Sequence, residues 1–335
     1  MKFGPVAAAD AEGAILAHSL KLGEGKLRKG LRLTAEHVGA LMSAGINDVV
    51  VARLDDGDLH EDAAAAQLAA ALVPDPDAAG LRVTEPFTGR VNLIADGPGV
   101  VVLDVAALER FNRVHPMITV ATVPAFQQMG PGGMIATIKV ISYAVPGADV
   151  ARAQVTAPAS IRLAPPVRRS ASLIFTDIPG GPDNSKATRA MEDRVAALGL
   201  TMDAPMTVPH ATEPLSRALA AVTGDITMIL TASATSDIED VAPSALRAAG
   251  GRIDRFGMPV DPGNLLFLGE LGDRAVIGLP GCARSPALNG ADWVLSRVAC
   301  GIPVTGADIA AMGVGGLLKE IPTRPQPRAG RKAPR

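Results

Sequence analysis

The sequence predicts an α/β fold with a three-layer, mostly parallel sheet in its second half, preceded by a small α+β region and a β-rich one. Three observations carry this expectation. Residues 170–300 alternate short apolar runs with amphipathic helical stretches, the pattern of a parallel sheet with helices on both faces. Residues 80–165 are instead rich in β-branched residues punctuated by turns. Pro165-Pro166 followed by Arg168-Arg169 separates the two regimes as a linker. A chain of 335 residues exceeds one average domain, and the predicted divisions are 1–78, 79–165, 166–305, and a C-terminal extension 306–335 ending in a disordered basic tail.

The elements follow in order. Asp10 to His18 reads as a strand, Lys29-Gly30 as a turn, and Thr34 as the N-cap of a helix with Val38, Leu41 and Met42 on one face. Gly45 stops that helix. Asn47 to Ala52 is a strand, Asp55 to Asp58 a turn, and Glu61 to Leu72 an alanine-rich helix that ends before Pro74. In the middle block the strands are Val100 to Asp104, Met117 to Val123 and Ile135 to Tyr143. Its one predicted helix, Val105 to Arg113, carries Leu108 and Phe111 on a single face. Gly130-Pro-Gly-Gly133 is a tight turn, since no Lys-Ser or Lys-Thr follows as a phosphate-binding loop requires.

Ser172 to Thr176 opens the last block as a buried strand, and Asn184 or Ser185 caps a helix with Ala187, Met191, Val195 and Leu198 inward. Thr207-Val208 is a second strand. Thr212 starts a helix in which Pro214 falls in the tolerant first turn. Ile226 to Thr231 is a fully buried strand, and after a polar loop Asp240 caps a helix closed by Gly250-Gly251. Leu265 to Leu271 and Arg274 to Leu279 pair as a hairpin, and Pro286 to Cys300 is the last long helix. From Thr323 the chain is basic and proline-rich, a composition that disfavours a packed core.

Composition excludes several functions. Aromatic residues are 3% of the chain, too few for base-stacking platforms, and 32 basic against 34 acidic residues give a net charge of −2 with no global field for DNA. No nucleic-acid partner is expected. The apolar stretch Ala63 to Val73 is shorter than the ~20 residues of a membrane span. Met1 to Ala11 has no basic start followed by an apolar block, and two cysteines, Cys282 and Cys300, cannot make a disulfide framework, so a cytoplasmic protein is expected.

Three polar turns fall where buried strands end, which is where open α/β sheets build ligand pockets. Thr231-Ala-Ser-Ala-Thr235-Ser236-Asp237 packs small and hydroxylated residues ahead of a helix N-terminus, a setting that suits a phosphate or is simply a capped loop. Asp237, Glu239 and Asp240 would repel a phosphate unless a divalent cation intervenes or they face heterocycle donors. Asp261-Pro-Gly263-Asn264 and Leu279-Pro-Gly281-Cys282 are tight turns in which glycine allows close approach to a ligand. Cys282 lacks a neighbouring histidine base, and the five histidines are scattered, which disfavours a thiol nucleophile and a zinc site.

Residues 170–300, with the segments MPVDPGN and GLPGCARSPALN, resemble the molybdopterin-binding, Mog-type domain of molybdenum-cofactor biosynthesis proteins. These two turns are similar to the Arg-Pro-Gly-Lys-Pro and Gly-Leu-Pro-Gly-Asn-Pro turns of molybdopterin molybdenumtransferases. Gly13 to Ala65 and Phe87 to Leu93 resemble the front half of related molybdopterin-binding proteins. The resemblance implies a ligand site formed by Thr176, Asp177, Gly180, Thr231, Ala232, Ser233, Ala234, Thr235, Ser236, Pro262, Gly263, Asn264, Pro280, Gly281, Cys282 and Ser285. It implies molybdopterin, or its nucleotide derivative, as ligand, a homo-oligomer, and, where chemistry occurs, Mg²⁺ held by Asp237 and Asp240 for molybdate insertion.

The chain departs from the transferase pattern at informative places. Thr231-Ala-Ser-Ala234 stands where the family has Thr-Ser-Gly-Gly or Thr-Thr-Gly-Gly, Asn264 where it has lysine, and Cys282 where it has asparagine. His210 lies about where an aspartate is usual. Losing both glycines stiffens the loop, and losing the lysine removes a point charge that would hold phosphate or molybdate. Two other functions remain open: a Mg²⁺-dependent nucleotide pyrophosphatase, because the domain also resembles the front of competence/damage-inducible proteins, and a non-catalytic carrier serving a cytidylyltransferase or a molybdoenzyme.

Overall fold

Pro165 and Pro166 fall where the chain divides into two units, Met1–Pro165 and Pro166–Arg335, in a computed structural model that describes residues 1–23 and 25–318. The basic tail expected from Thr323 lies outside the described residues. None of the described helices is long and apolar enough to cross a membrane.

The first unit holds two apolar cores. The smaller lies under an antiparallel sheet in which β5 (Asp48–Arg53) is flanked by β1 (Lys2–Ala7) and β2 (Ile15–Leu16). The hairpin β3 (Leu20–Leu22) and β4 (Gly25–Leu27) stands beside them in the chain. Helix α1 (Ala35–Ser43) begins at a reciprocal cap: Thr34 Oγ1 accepts from His37 N, and His37 Nδ1 accepts from Thr34 N at 3.1 Å. Leu16, Leu33, Leu41, Val49 and Val51 fill this core. Strand β1 was not anticipated, because its Gly4 and Pro5 disguise the period; as an edge strand it tolerates a proline.

The larger core is formed by a four-stranded sheet of β10 (Ile118–Thr122), β12 (Met134–Val140), β8 (Arg90–Ala95) and β7 (Leu81–Val83). A second sheet joins β11 (Gln128–Met129), β9 (Gly99–Leu103) and β14 (Ile161–Ala164), while β6 (Asp58–His60) pairs with β13 (Ala144–Pro146). Helix α2 (Glu61–Leu72), grouped by sequence with residues 1–78, packs its Ala65, Leu68 and Leu72 into this core with α3 (Val105–Asn112) and α4 (Gly147–Thr156). The sequence reading missed α4 because Pro146-Gly147 reads as a breaker. Pro146 in fact sits at the N-cap, where no helical N–H is lost, and Val150 and Ala153 are buried behind it.

The second unit is organised by one seven-stranded sheet. From one edge the strands run β16 (Thr201–Met202), β15 (Ser170–Asp177), β18 (Ile226–Leu230), β21 (Arg274–Gly278), β20 (Phe267–Leu271) and β19 (Arg252–Phe256), and β17 (Met206–Pro209) also pairs with β15. Strand β15 is parallel to β16, β17 and β18, and β18 to β21, whereas β20 is antiparallel to both its neighbours. The fold is thus mixed α/β with several sheets. Alternate side chains of a strand face opposite ways. Leu173, Phe175, Met228 and Leu230 therefore meet α5 (Ser185–Ala197) and α8 (Gly290–Ala299), while Ile174, Ile229 and Val276 meet α6 (Thr212–Ala221) and α7 (Val241–Ala248).

Two boundaries differ from expectation. The last long helix begins at Gly290 rather than Pro286, because Asn289 Oδ1 accepts from Ala291 N and Asp292 accepts from Asn289 N, both at 2.8 Å. Residues 281–284 form a separate 3₁₀ turn. Residues 306–318, placed by sequence in an extension, belong to this unit's core: α9 (Gly306–Ala311), capped by Thr305, buries Ile309, and Met312 follows it inside.

Candidate functional site

Parallel strands bring their carboxyl ends to one edge of a sheet. Here β15 ends at Thr176-Asp177, Thr231 directly follows β18 and Leu279 directly follows β21, so these chain segments meet at that end of the sheet. The buried Thr176 hydroxyl joins the first two: Ala232 N donates to Thr176 Oγ1 at 2.9 Å, and the same oxygen shares a 2.8 Å hydrogen bond with His210 Nδ1. His210 N also donates to Asp177 O at 2.9 Å. The residue flagged in the sequence only as a departure is therefore tied to the strand end.

The loop after β18 is closed on itself. Thr231 and Thr235 are buried; Thr231 Oγ1 donates to Ser233 O at 2.6 Å and lies 3.2 Å from Thr235 Oγ1. Asp240 caps α7 through Oδ1, which accepts from Val241 N at 2.7 Å, while its Oδ2 accepts from Ser236 N of the loop at 3.1 Å. Asp237 Oδ1 accepts from Glu239 N at 2.8 Å. Arg247 Nη2 holds Glu239 at 2.6 Å and its Nη1 donates to Ile238 O, which latches the loop to α7. Both carboxylates proposed as metal ligands thus serve as acceptors for loop amides, and among the described residues no group of three or more His, Cys, Asp or Glu could hold a metal ion.

The third segment supplies a cation that sequence reasoning missed. Arg284, in the 3₁₀ turn after Pro280, donates through Nη2 to Thr231 O at 2.9 Å and through Nη1 to Asn184 Oδ1 at 2.6 Å. Burial pushes its guanidinium below the ordinary arginine value, and among the described residues no carboxylate oxygen lies within the 4.0 Å of an ion pair. Arg194 on α5 fixes the segment that carries it: paired with Asp292 at 2.5 Å, it donates to Ala283 O, Ser285 O and Ala287 O at 2.8 to 3.0 Å. Cys282 and Ser285, on either side of Arg284, are exposed. The spacing of 100 residues between Asn184 and Arg284 explains why no local pattern disclosed the pair.

Of the residues named from sequence, Thr176, Asp177 and Thr231 to Ser236 gather with Arg284, Asn184 and His210. Gly180 lies in the loop just after β15 with φ 75°. Pro262, Gly263 and Asn264 make contacts of their own with the start of α8 and within their turn. Pro262 O accepts from Gly290 N at 2.9 Å, and a Cβ on Gly263 would meet that nitrogen at 2.8 Å. Asn264 Nδ2 donates to Met258 O at 3.2 Å, within its own turn, and residues 316–318 bond to Asp261 on the other side.

The arrangement defines a class: an α/β unit with a hydroxyl-lined strand-end site around a half-buried arginine. A family model described as Domain of unknown function (DUF8806) matches residues 5–53, in the other unit. No curated protein matches the chain. Among solved structures it is similar to a molybdopterin biosynthesis MoeA protein from Pyrococcus horikosii, at 13% identity and TM-score 0.31 over 92% of this chain and 76% of that one. A molybdenum cofactor biosynthesis protein from Pyrococcus furiosus matches at 12% identity and TM-score 0.22, over 92% and 65%.

Proposed function

We propose that the second unit binds a pterin phosphate, molybdopterin or its nucleotide derivative, and that the protein acts in the biosynthesis or delivery of the molybdenum cofactor. The observation that carries this reading is Arg284. A half-buried guanidinium without a carboxylate partner at the ends of parallel strands favours an anion, which would offset the cost of burying the charge. The MPVDPGN and GLPGCARSPALN turns, with their resemblance to molybdopterin-binding domains, supply the pterin. The phosphate belongs at Arg284 rather than at the start of α7, because the Asp240 carboxylate already accepts the first amide there and would repel a second anion.

A carrier role agrees best with these side chains. Asp240 uses both oxygens on backbone amides and Asp237 one of its two, so both carboxylates already serve to hold the loop, and a carrier role asks no further chemistry of them. Asn264, standing where a transferase has lysine, brings no charge to molybdate. Hand-over to a cytidylyltransferase or a molybdoenzyme is the corresponding partner chemistry, and a homo-oligomer the corresponding assembly.

The test is titration of molybdopterin into the full chain, followed by pterin fluorescence and calorimetry. Saturable binding is expected, with Arg284→Gln weakening it about tenfold or more, the scale of a lost charged hydrogen bond, while circular dichroism stays unchanged. Wild-type protein that gives neither a fluorescence change nor heat ends the proposal.

A further inference from the structure

The first unit contains a second concentration of unpaired charge, remote in sequence from the strand-end site. A cavity of about 350 Å³ is lined by Glu12, Arg32, Arg53 and His60 over an apolar floor of Ile15 and Leu54. Its volume is about ten times a water molecule's share of the liquid, enough for a small metabolite.

The two arginines are anchored to one short stretch of backbone. Arg32 Nε donates to Gly13 O at 3.3 Å, and Arg53 Nη2 donates to Asp10 O. Their heads are thereby held on either side of Glu12 in the chain. A guanidinium has five N–H donors in a fork that matches phosphate, and these backbone bonds occupy one on each. Among the described residues neither arginine is within 4.0 Å of a carboxylate oxygen, and neither is Glu12 of a basic nitrogen. His60 adds a donor. Its Nδ1 accepts from Asp62 N at 3.3 Å at the start of α2, so the neutral ring carries its proton on Nε2.

From this set we infer that the cavity is a binding site for a small phosphate monoester bearing an amino or hydroxyl donor. The two guanidinium groups and the His60 N–H take the phosphate. Glu12, the one carboxylate of the cavity, takes the donor and discriminates against inorganic phosphate. The inference stands apart from the pterin site, which lies in the other unit and shares no residue with it.

O-Phosphoethanolamine is the probe, titrated calorimetrically into the full chain beside inorganic phosphate and ethanolamine. The expected result is saturable binding of O-phosphoethanolamine, about tenfold or more tighter than phosphate, and none of ethanolamine. Arg32→Gln with Arg53→Gln should weaken it at least as much, whereas Arg284→Gln leaves it unchanged. Glu12→Gln should remove the preference over phosphate. All three side chains are exposed and no core contact is lost, and circular dichroism checks that the variants fold. The inference is overturned by absence of saturable heat with wild-type protein at about 10 mM probe, a concentration that would detect even millimolar affinity, or by equal affinity in the double arginine variant. Equal affinity for phosphate and O-phosphoethanolamine in wild type overturns the role of Glu12.

Discussion

Arg284 is half-buried between Asn184 and Thr231 O, and its planar head makes both bonds at once. Lysine offers one compact charge and cannot reproduce that fork. Asn184→Ala should therefore weaken pterin binding a few-fold, less than Arg284→Gln, because the charge stays while its geometry loosens; fluorescence titration of the two variants orders them. At the same scale, Gly278 in β21 faces the Phe267 ring so closely that an added Cβ would come within 1.9 Å of Cε1. Neither side of that contact can yield cheaply, since Phe267 is fully buried. Gly278→Ala should destabilise by about 1–3 kcal/mol or more, read as a lower urea midpoint. The hairpin expected from sequence already sets Phe267 opposite Gly278, and only the tertiary structure shows that the ring lies over the glycine, because a rotamer is not encoded in register.

Caps decide where the elements start. Asp240 holds Val241 N and Ser236 N, so Asp240→Ala should cost about 1 kcal/mol of stability, whereas Asp240→Asn should cost less, since its one amide oxygen still caps Val241 N while its Nδ2 cannot accept from Ser236 N. Thermal denaturation of the pair tests this; an Asp240→Asn as unstable as Asp240→Ala would contradict the capping role. Thr34 and Asn289 were treated differently by the sequence. The first was legible as a cap because an apolar helical period follows at once. The second was hidden by Pro286, which is itself an acceptable helix start. Only the capping box with Asp292 puts the first turn of α8 at Gly290.

At the scale of the whole molecule, carboxylates bound to backbone couple stability to pH. Asp225 accepts from Arg169 N at 2.7 Å and Ser170 N at 3.1 Å, joining the starts of β15 and β18, and the Arg169 amide above all holds its carboxyl below the ordinary aspartate value. Such a group binds fewer protons folded than unfolded. Its contribution is present above the unfolded value and is lost as pH falls through the folded one. The stability gap between wild type and Asp225→Asn should be full at neutral pH and close below about pH 4, as urea midpoints across that range would show. Asp308, held low by the Thr305 hydroxyl and amide, adds to the same acid-side loss. The sequence by itself determined the alternation of strands and helices after Pro166, the caps at Thr34 and Asp240, and the three polar turns, because each rests on periodicity or on contacts within a few residues. Tertiary structure alone decided that α2 serves the larger core, that residues 306–318 join the second unit's core, that the Asp261–Asn264 turn anchors α8, and that Arg284 meets Asn184 and Thr231. Those choices depend on side chains brought together across tens of residues by sheet register, which local patterning does not encode.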